Sequence, residues 1–342
     1  MTFLFAAMEN SALVLESSKS GWKTTENLKG RHPQAVALDQ GNSERLYCGT
    51  FDNGLMKSDN RGKSWDRIGK SGISSSSIMS VSVDNNRIRK NEFSKIYAGT
   101  EPSALYASND GGDSWEKMSG LNDLDSSDSW SFPPRPWTNH VRWVEIDANN
   151  SNYIFVAIEA GAFVQSHDGG KNWSDRVKDG PYDTHTLRTH LKAPKRLYSA
   201  AGDGYFESID YGKTWRSPRE GLEHNYIVGL ALDSANPQSV VISASLSAMQ
   251  AHARGREANS VMYRKSIDSQ KWEKISKGLP ESKGTIITML SSNPFNGGEF
   301  YGINNRGIFC STDSGASWAS LDIHWPKEYL LQHPFGIVVG ED

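Results

Sequence analysis

The chain has 342 residues, is 37% hydrophobic and 23% charged, and sets 37 basic against 40 acidic residues for a formal net charge of −3. A balance this even argues against a nucleic-acid-binding surface, which needs a basic face. Two cysteines, Cys48 and Cys310, are too few for a disulfide framework and lack metal-type spacing, and no apolar run is long enough to cross a membrane.

The first segment, "MTFLFAAMEN", has a short apolar run with no basic residue ahead of it and Glu9 and Asn10 directly behind it. It does not read as a secretory signal, so a cytoplasmic protein is expected. It reads instead as a strand, followed by strands at "ALVLES" and "WKTT". The pattern continues along the whole chain: short alternating apolar runs broken by Gly, Asn, Asp and Ser, with no helical periodicity. That is an all-β pattern.

A repeat organises it. "AVALDQGNSERLYCGTFDNGLMKSDNRGKSW" (35–65) matches "VRWVEIDANNSNYIFVAIEAGAFVQSHDGGKNW" (141–173), and "IVGLALDSANPQSVVISAS" (227–245) matches the front of both. Each unit closes on a turn of the form Ser-x-Asp-x-Gly-x-x-Trp. In chain order these are "SDNRGKSW" (58–65), "SNDGGDSW" (108–115), "SHDGGKNW" (166–173), "SIDYGKTW" (208–215) and "STDSGASW" (311–318). Degenerate copies stand at "SSKSGW" (17–22) and "SIDSQKW" (266–272). The seven tryptophans, Trp22, Trp65, Trp115, Trp173, Trp215, Trp272 and Trp318, are spaced 42 to 58 residues apart. Four strands per unit of this length predict a seven-bladed β-propeller, one domain over residues 1–342. About three strands precede the second unit, and the tail "HPFGIVVGED" reads like the first strand of a unit. The C-terminal strand is therefore expected to complete the N-terminal blade, removing exposed sheet edges.

The turn resembles the Asp-box, or bacterial neuraminidase (BNR), repeat of sialidase-like propellers. The copies at 108–115, 166–173, 208–215 and 311–318 match fully, and the copy at 58–65 has Asn60 in the aspartate position. Physically the aspartate accepts hydrogen bonds from its own turn, the glycine takes a positive φ, and the tryptophan buries a large area between sheets. Seven copies are too many for a catalytic role. Among Asp-box propellers the sequence looks nearest to single-propeller bacterial and archaeal proteins labelled glycosyl hydrolase-like. Seven units and the absence of a recognisable arginine triad separate it from sialidases.

In such a fold the lead-ins to the inner strands and the turns between second and third strands share one face, opposite the Asp-box turns. Five lead-ins carry histidines: His32, His140, His185, His224 and His333. Arg142, Asp183 and Arg188 lie beside them. The second-to-third turns add Glu101 and Glu159, besides Glu9, Asp52 and Asp203. A connection at 121–139 and an insertion at 245–260 build further loops, and Trp137 and Trp143 could stack on a flat ligand.

Three readings follow. His32, His140, His185 and His224 could hold a divalent or transition metal in the central channel. Alternatively His140, His185, Asp183 and Arg142 form an acid–base centre, with Arg188, Glu159, Glu101, Trp137 and Trp143 binding a small polar or carbohydrate-type ligand. Or the channel mouth is merely wet and polar. The function expected is hydrolase-like, of glycosyl hydrolase type, or lyase-like. The alternative is a non-catalytic scaffold for protein–protein interaction or complex assembly. Neither nucleic acid nor membrane is an expected partner.

Overall fold

The computed structural model describes residues 1–86, 92–266, 269 and 271–342. The degenerate turn at 266–272 falls partly outside these residues. Seven antiparallel sheets of three or four strands follow one another around a central channel, and six of them are ordered from inside to outside along the chain. The inner strands are Pro334–Glu341, Pro33–Leu38, Ser77–Val83, Val141–Ile146, Thr184–Arg188, Tyr226–Leu232 and Met289–Ser292. They define blades one to seven in that order.

Both chain ends meet in the first blade. Thr2–Met8 pairs on one side with Ala12–Ser18 and on the other with Pro334–Glu341, in register from Thr2 opposite Glu341 to Ala7 opposite Gly336. The last strand of the chain is thus the innermost strand of the blade that holds its first three. Blades four and five have three full strands. The outermost position is reduced to single bridges, Gln165 with Ser174 and Glu207 with Arg216.

The core is divided by the architecture. Seven buried apolar clusters occupy the seven interfaces between neighbouring blades. A repeat tryptophan belongs to each. Trp65 of blade two stacks on Phe5 of blade one with centroids 5.6 Å apart, and Trp215 of blade five meets Phe163 of blade four edge-on at 5.1 Å. Burying a large aromatic in each interface supplies much of the apolar area that holds the ring together.

The repeat turns are built alike. In blade three, Ser108 Oγ accepts the Gly112 N–H at 2.9 Å and donates to Asp110 Oδ1 at 2.8 Å, and the Asp110 carboxylate accepts the Ser114 N–H at 2.9 Å. The same pattern recurs around Asp168, Asp210 and Asp313. Asn60 keeps it in blade two, its amide oxygen accepting the Ser64 N–H at 2.8 Å. The requirement is thus for a short side-chain oxygen, which aspartate and asparagine share.

A second regularity was not visible in the sequence. Six inner strands carry a bulge near their start, leaving Gln34, Met79, Arg142, His185, Val228 and Phe335 without a direct partner on the neighbouring strand. A bulge adds a residue, bends the strand and re-aims the side chain it carries. Here it sits where each strand leaves the channel mouth.

Candidate functional site

Two adjacent bulges place Arg142 and His185 at the mouth, and the side chains around them converge. Glu159, in the turn after strand Ile154–Ile158 of blade four, is the hub. Its Oε2 lies 2.7 Å from His140 Nε2 and 3.3 Å from Arg142 Nε, and its Oε1 lies 3.9 Å from His185 Nε2. Asp183, immediately before the inner strand of blade five, brings Oδ2 to 3.6 Å from the same His185 nitrogen. Its Oδ1 accepts the Ala160 N–H at 2.8 Å, which ties blade five to the turn of blade four.

The tautomer of His185 follows from its other nitrogen. Nδ1 lies 2.7 Å from the Ile227 carbonyl oxygen, which can only accept. Nδ1 therefore carries a proton, and in the neutral ring Nε2 presents a lone pair to Glu159, Asp183 and the Tyr226 hydroxyl, the last at 3.3 Å. Tyr226 also reaches His252 Nε2 at 3.3 Å, and the His252 ring lies 5.6 Å from that of His333.

On the other flank, His140 stands between two acids. Its Nδ1 is 3.4 Å from Glu101 Oε2 but makes no hydrogen bond, although it is fully enclosed. Glu101 is held by Arg135 through a two-point contact at 2.9 and 2.6 Å. Arg135 and Phe132, which meets the His140 ring edge-on at 4.7 Å, both come from the 121–139 connection.

The two carboxyls of the hub are driven apart. Burial alone would raise Glu159, but the charges of His140, His185 and Arg142 outweigh it and hold the group well below the usual carboxylate range. Burial raises Asp183 above its ordinary value, and the negative charge of Glu159 adds to this against the pull of His185. One carboxylate is thus kept ionised while its neighbour holds a proton more readily, the pattern that separates an acid from an anion in a shared site. Burial and the two carboxylates also push the Tyr226 phenol upward, so it stays protonated.

The other expected residues lie elsewhere. Trp143 and Arg188 pack together, guanidinium over indole at 4.6 Å, and both approach Glu145 rather than Glu159. They wall the channel, a cavity of about 520 Å³ whose lining includes Arg142 but no other member of the mouth cluster. Trp137 is 80% exposed. His32 is exposed and faces Asp52 at 3.8 Å, while His224 turns into its own blade to the Tyr263 hydroxyl at 2.6 Å. The four histidines do not form one coordination set: relative to the bulge His185 stands on it, His32 and His140 two residues before it and His224 four before it, and each meets a different partner. Among the described residues the group able to share one cation is Glu159, Asp183 and His185, whose donor atoms lie within 4.8 Å of one another.

Tyr226, His252 and Arg135 were not singled out from the sequence. His252 and Arg135 lie in the two segments, 245–260 and 121–139, marked there as loop builders. Tyr226 begins an inner strand beside His224, so its position in the repeat was the available signal.

No family model matches the chain, and no curated protein matches it. Solved structures do. An ancestral GH74 enzyme superposes with a TM-score of 0.63 at 16% identity, over 90% of this chain and 38% of that one. A GH74 enzyme from Niastella koreensis gives 0.69 at 17%, over 92% and 51%. YCF48 bound to D1 peptide gives 0.58 at 17%, over 91% and 93%. The chain thus spans about four-tenths to one-half of the length of the two GH74 enzymes. At these identities the likeness is one of fold: a seven-bladed propeller shared by enzymes and by proteins that bind peptides. Among the described residues no helix is long and apolar enough to cross a membrane.

Proposed function

We propose that the channel mouth of this protein binds a small polar or carbohydrate-type ligand and acts on it by acid–base chemistry of the hydrolase type. The observation that carries this reading is the opposed pair Glu159 and Asp183, set around Nε2 of His185. Asp183, whose carboxyl is shifted toward the protonated form by burial and by Glu159, serves as the general acid toward a leaving oxygen. Glu159, permanently ionised, stabilises positive charge that develops on the substrate. A water molecule bonds to the substrate carbon as the bond to the leaving oxygen breaks and gives up its proton to Nε2 of His185, whose ring is fixed by the Ile227 carbonyl; that proton then restores Asp183. His140 and Arg142 hold Glu159 in place, and the Tyr226 hydroxyl is a donor to a ligand oxygen. The repeat turns, which we read as of Asp-box type, keep to the opposite face and have a structural role. The GH74 likeness supports a glycosidic substrate.

The test is turnover of a panel of chromogenic aryl glycosides. Asp183→Asn should lower kcat by roughly 10²–10⁴-fold, the usual worth of a positioned general acid, with KM little changed. A wild-type protein inert across the panel, or an Asp183→Asn protein as active as wild type, overturns the reading.

A non-catalytic scaffold is the second reading, favoured by the peptide-bound neighbour and by the exposed Trp137. It requires that capture of a peptide partner survive Asp183→Asn and Glu159→Gln and fail on Trp137→Ala.

A further inference from the structure

A second polar site lies on the other face of the ring, in the groove between blades five and six. Glu207, at the end of strand Gly204–Ser208, is completely enclosed. Its carboxylate accepts from the Tyr205 hydroxyl at 2.9 Å, Lys265 Nζ at 2.5 Å, Arg196 Nη2 at 2.7 Å and Arg216 Nη2 at 2.8 Å. Four donors fill the accepting capacity of one carboxylate.

The cations are not matched in number. Three positive side chains surround one negative charge, leaving a surplus of +2 on Lys265, Arg196 and Arg216. Among the described residues no other carboxylate pairs with them. These groups, with Tyr198 and Gln238, wall a cavity of about 290 Å³. Two buried polar atoms on this wall, Arg196 Nε and the Tyr198 hydroxyl, have no hydrogen-bond partner. A buried donor without a partner is costly, and so is positive charge in excess of the one carboxylate that all three cations share. Both are relieved by an anion in the cavity.

We propose that this groove binds a phosphate monoester group. The charge selects the class: a phosphate monoester carries close to two negative charges at neutral pH, which matches the surplus. The geometry agrees. Donors arrive from three separate segments, the lead-in to strand Leu197–Ala201, the bridge at Arg216 and the end of strand Val261–Lys265, and from an ammonium as well as two guanidiniums, which suits a tetrahedral group with three oxygens better than one planar carboxylate. The site is independent of the channel mouth.

The probe is inorganic phosphate, titrated calorimetrically into the full chain in a low-salt buffer, with acetate as the planar singly charged comparison. Wild type should bind phosphate saturably and more tightly than acetate. Arg216→Ala, which removes a largely exposed side chain, should weaken phosphate binding about tenfold or more, the loss of one charge-assisted hydrogen bond. Tyr198→Phe should weaken it with an unchanged melting temperature. Absence of saturable phosphate binding across the millimolar range overturns the proposal. So does acetate binding as tight as phosphate, or an Arg216→Ala affinity equal to wild type.

Discussion

The loops that leave blades two, five and six press a glycine, Gly72, Gly221 and Gly278, against the backbone of the next repeat tryptophan, and Gly278→Ala tests how much this contact holds. Gly278 has φ +78°, and a Cβ there would lie 1.6 Å from the Trp318 carbonyl oxygen and 2.7 Å from its carbon. That atom is backbone and cannot rotate away. The neighbouring Lys277 carbonyl accepts the Trp318 N–H at 3.0 Å, so relief of the clash stretches this bond and shifts an indole that is 5% exposed. The left-handed backbone costs alanine about 1–2 kcal/mol, the hydrogen bond is worth about 1 kcal/mol, and forced repacking adds ~1–3 kcal/mol. The sum is about 4 kcal/mol. For a chain of 342 residues, an unfolding entropy of about 2.1 cal/mol/K per residue converts this to a fall of about 6 °C in melting temperature when the ring unfolds as one unit. Gly255→Ala is the control. It has φ +73° but open space around the added Cβ, so it should lose only about 2 °C. Thermal denaturation followed by circular dichroism and tryptophan fluorescence measures both. If Gly278→Ala melts no lower than Gly255→Ala, the blade-to-blade contact does not carry the stability assigned to it.

Asp110→Ala removes the acceptor of the blade-three turn and should cost about 1–2 kcal/mol, like loss of a capping side chain; differential scanning fluorimetry would show a fall of a few degrees, with the mouth unaffected. Asp110→Asn should recover most of it, since Asn60 fills the same role in blade two. Acid should act through Glu207. Burial raises its carboxyl, but Lys265 and Arg196 outweigh this and hold it at about 2 in the folded chain. Its contribution is therefore complete above the unfolded value near 4.5 and lost as pH falls toward 2, and a Glu207→Gln protein should show a flatter stability profile through that window. At the mouth the sign is reversed. The general acid needs its proton, so turnover should fall as pH rises through the elevated Asp183 value, and Asp183→Asn should abolish that basic limb.

Much of the architecture was legible in the chain because it is repeated. A turn that needs an oxygen, a glycine and a tryptophan at fixed spacing is a local requirement, and local requirements are written in order along a sequence. The turns therefore counted the blades, and the run "HPFGIVVGED" could be matched to the missing inner strand. The face of the site was legible for the same reason, since the alternation of strands decides which turns lie together. The individual residues were not. His32, His140, His185 and His224 look equivalent in a linear alignment, yet His140 and His185 converge on Glu159 while His224 turns to Tyr263 and His32 stays in solvent. The bulge is common to all four strands, at Gln34, Arg142, His185 and Val228, so the difference lies in where each histidine stands relative to it and in what the neighbouring turn offers: His185 is on the bulge, His32 and His140 stand two residues before it and His224 four, and Glu159 faces His140 where Asp52 faces His32. Those partners are set by how the strands and blades pair. The opposed carboxyls of Glu159 and Asp183 likewise come from two blades, and the surplus of cations around Glu207 gathers Arg196, Glu207 and Arg216 from one blade and Lys265 from the next. Sequence by itself determined the ring and its count of blades. Only the tertiary structure decided which charges meet, because burial and distance set their energies and neither is a property of a residue's place along the chain.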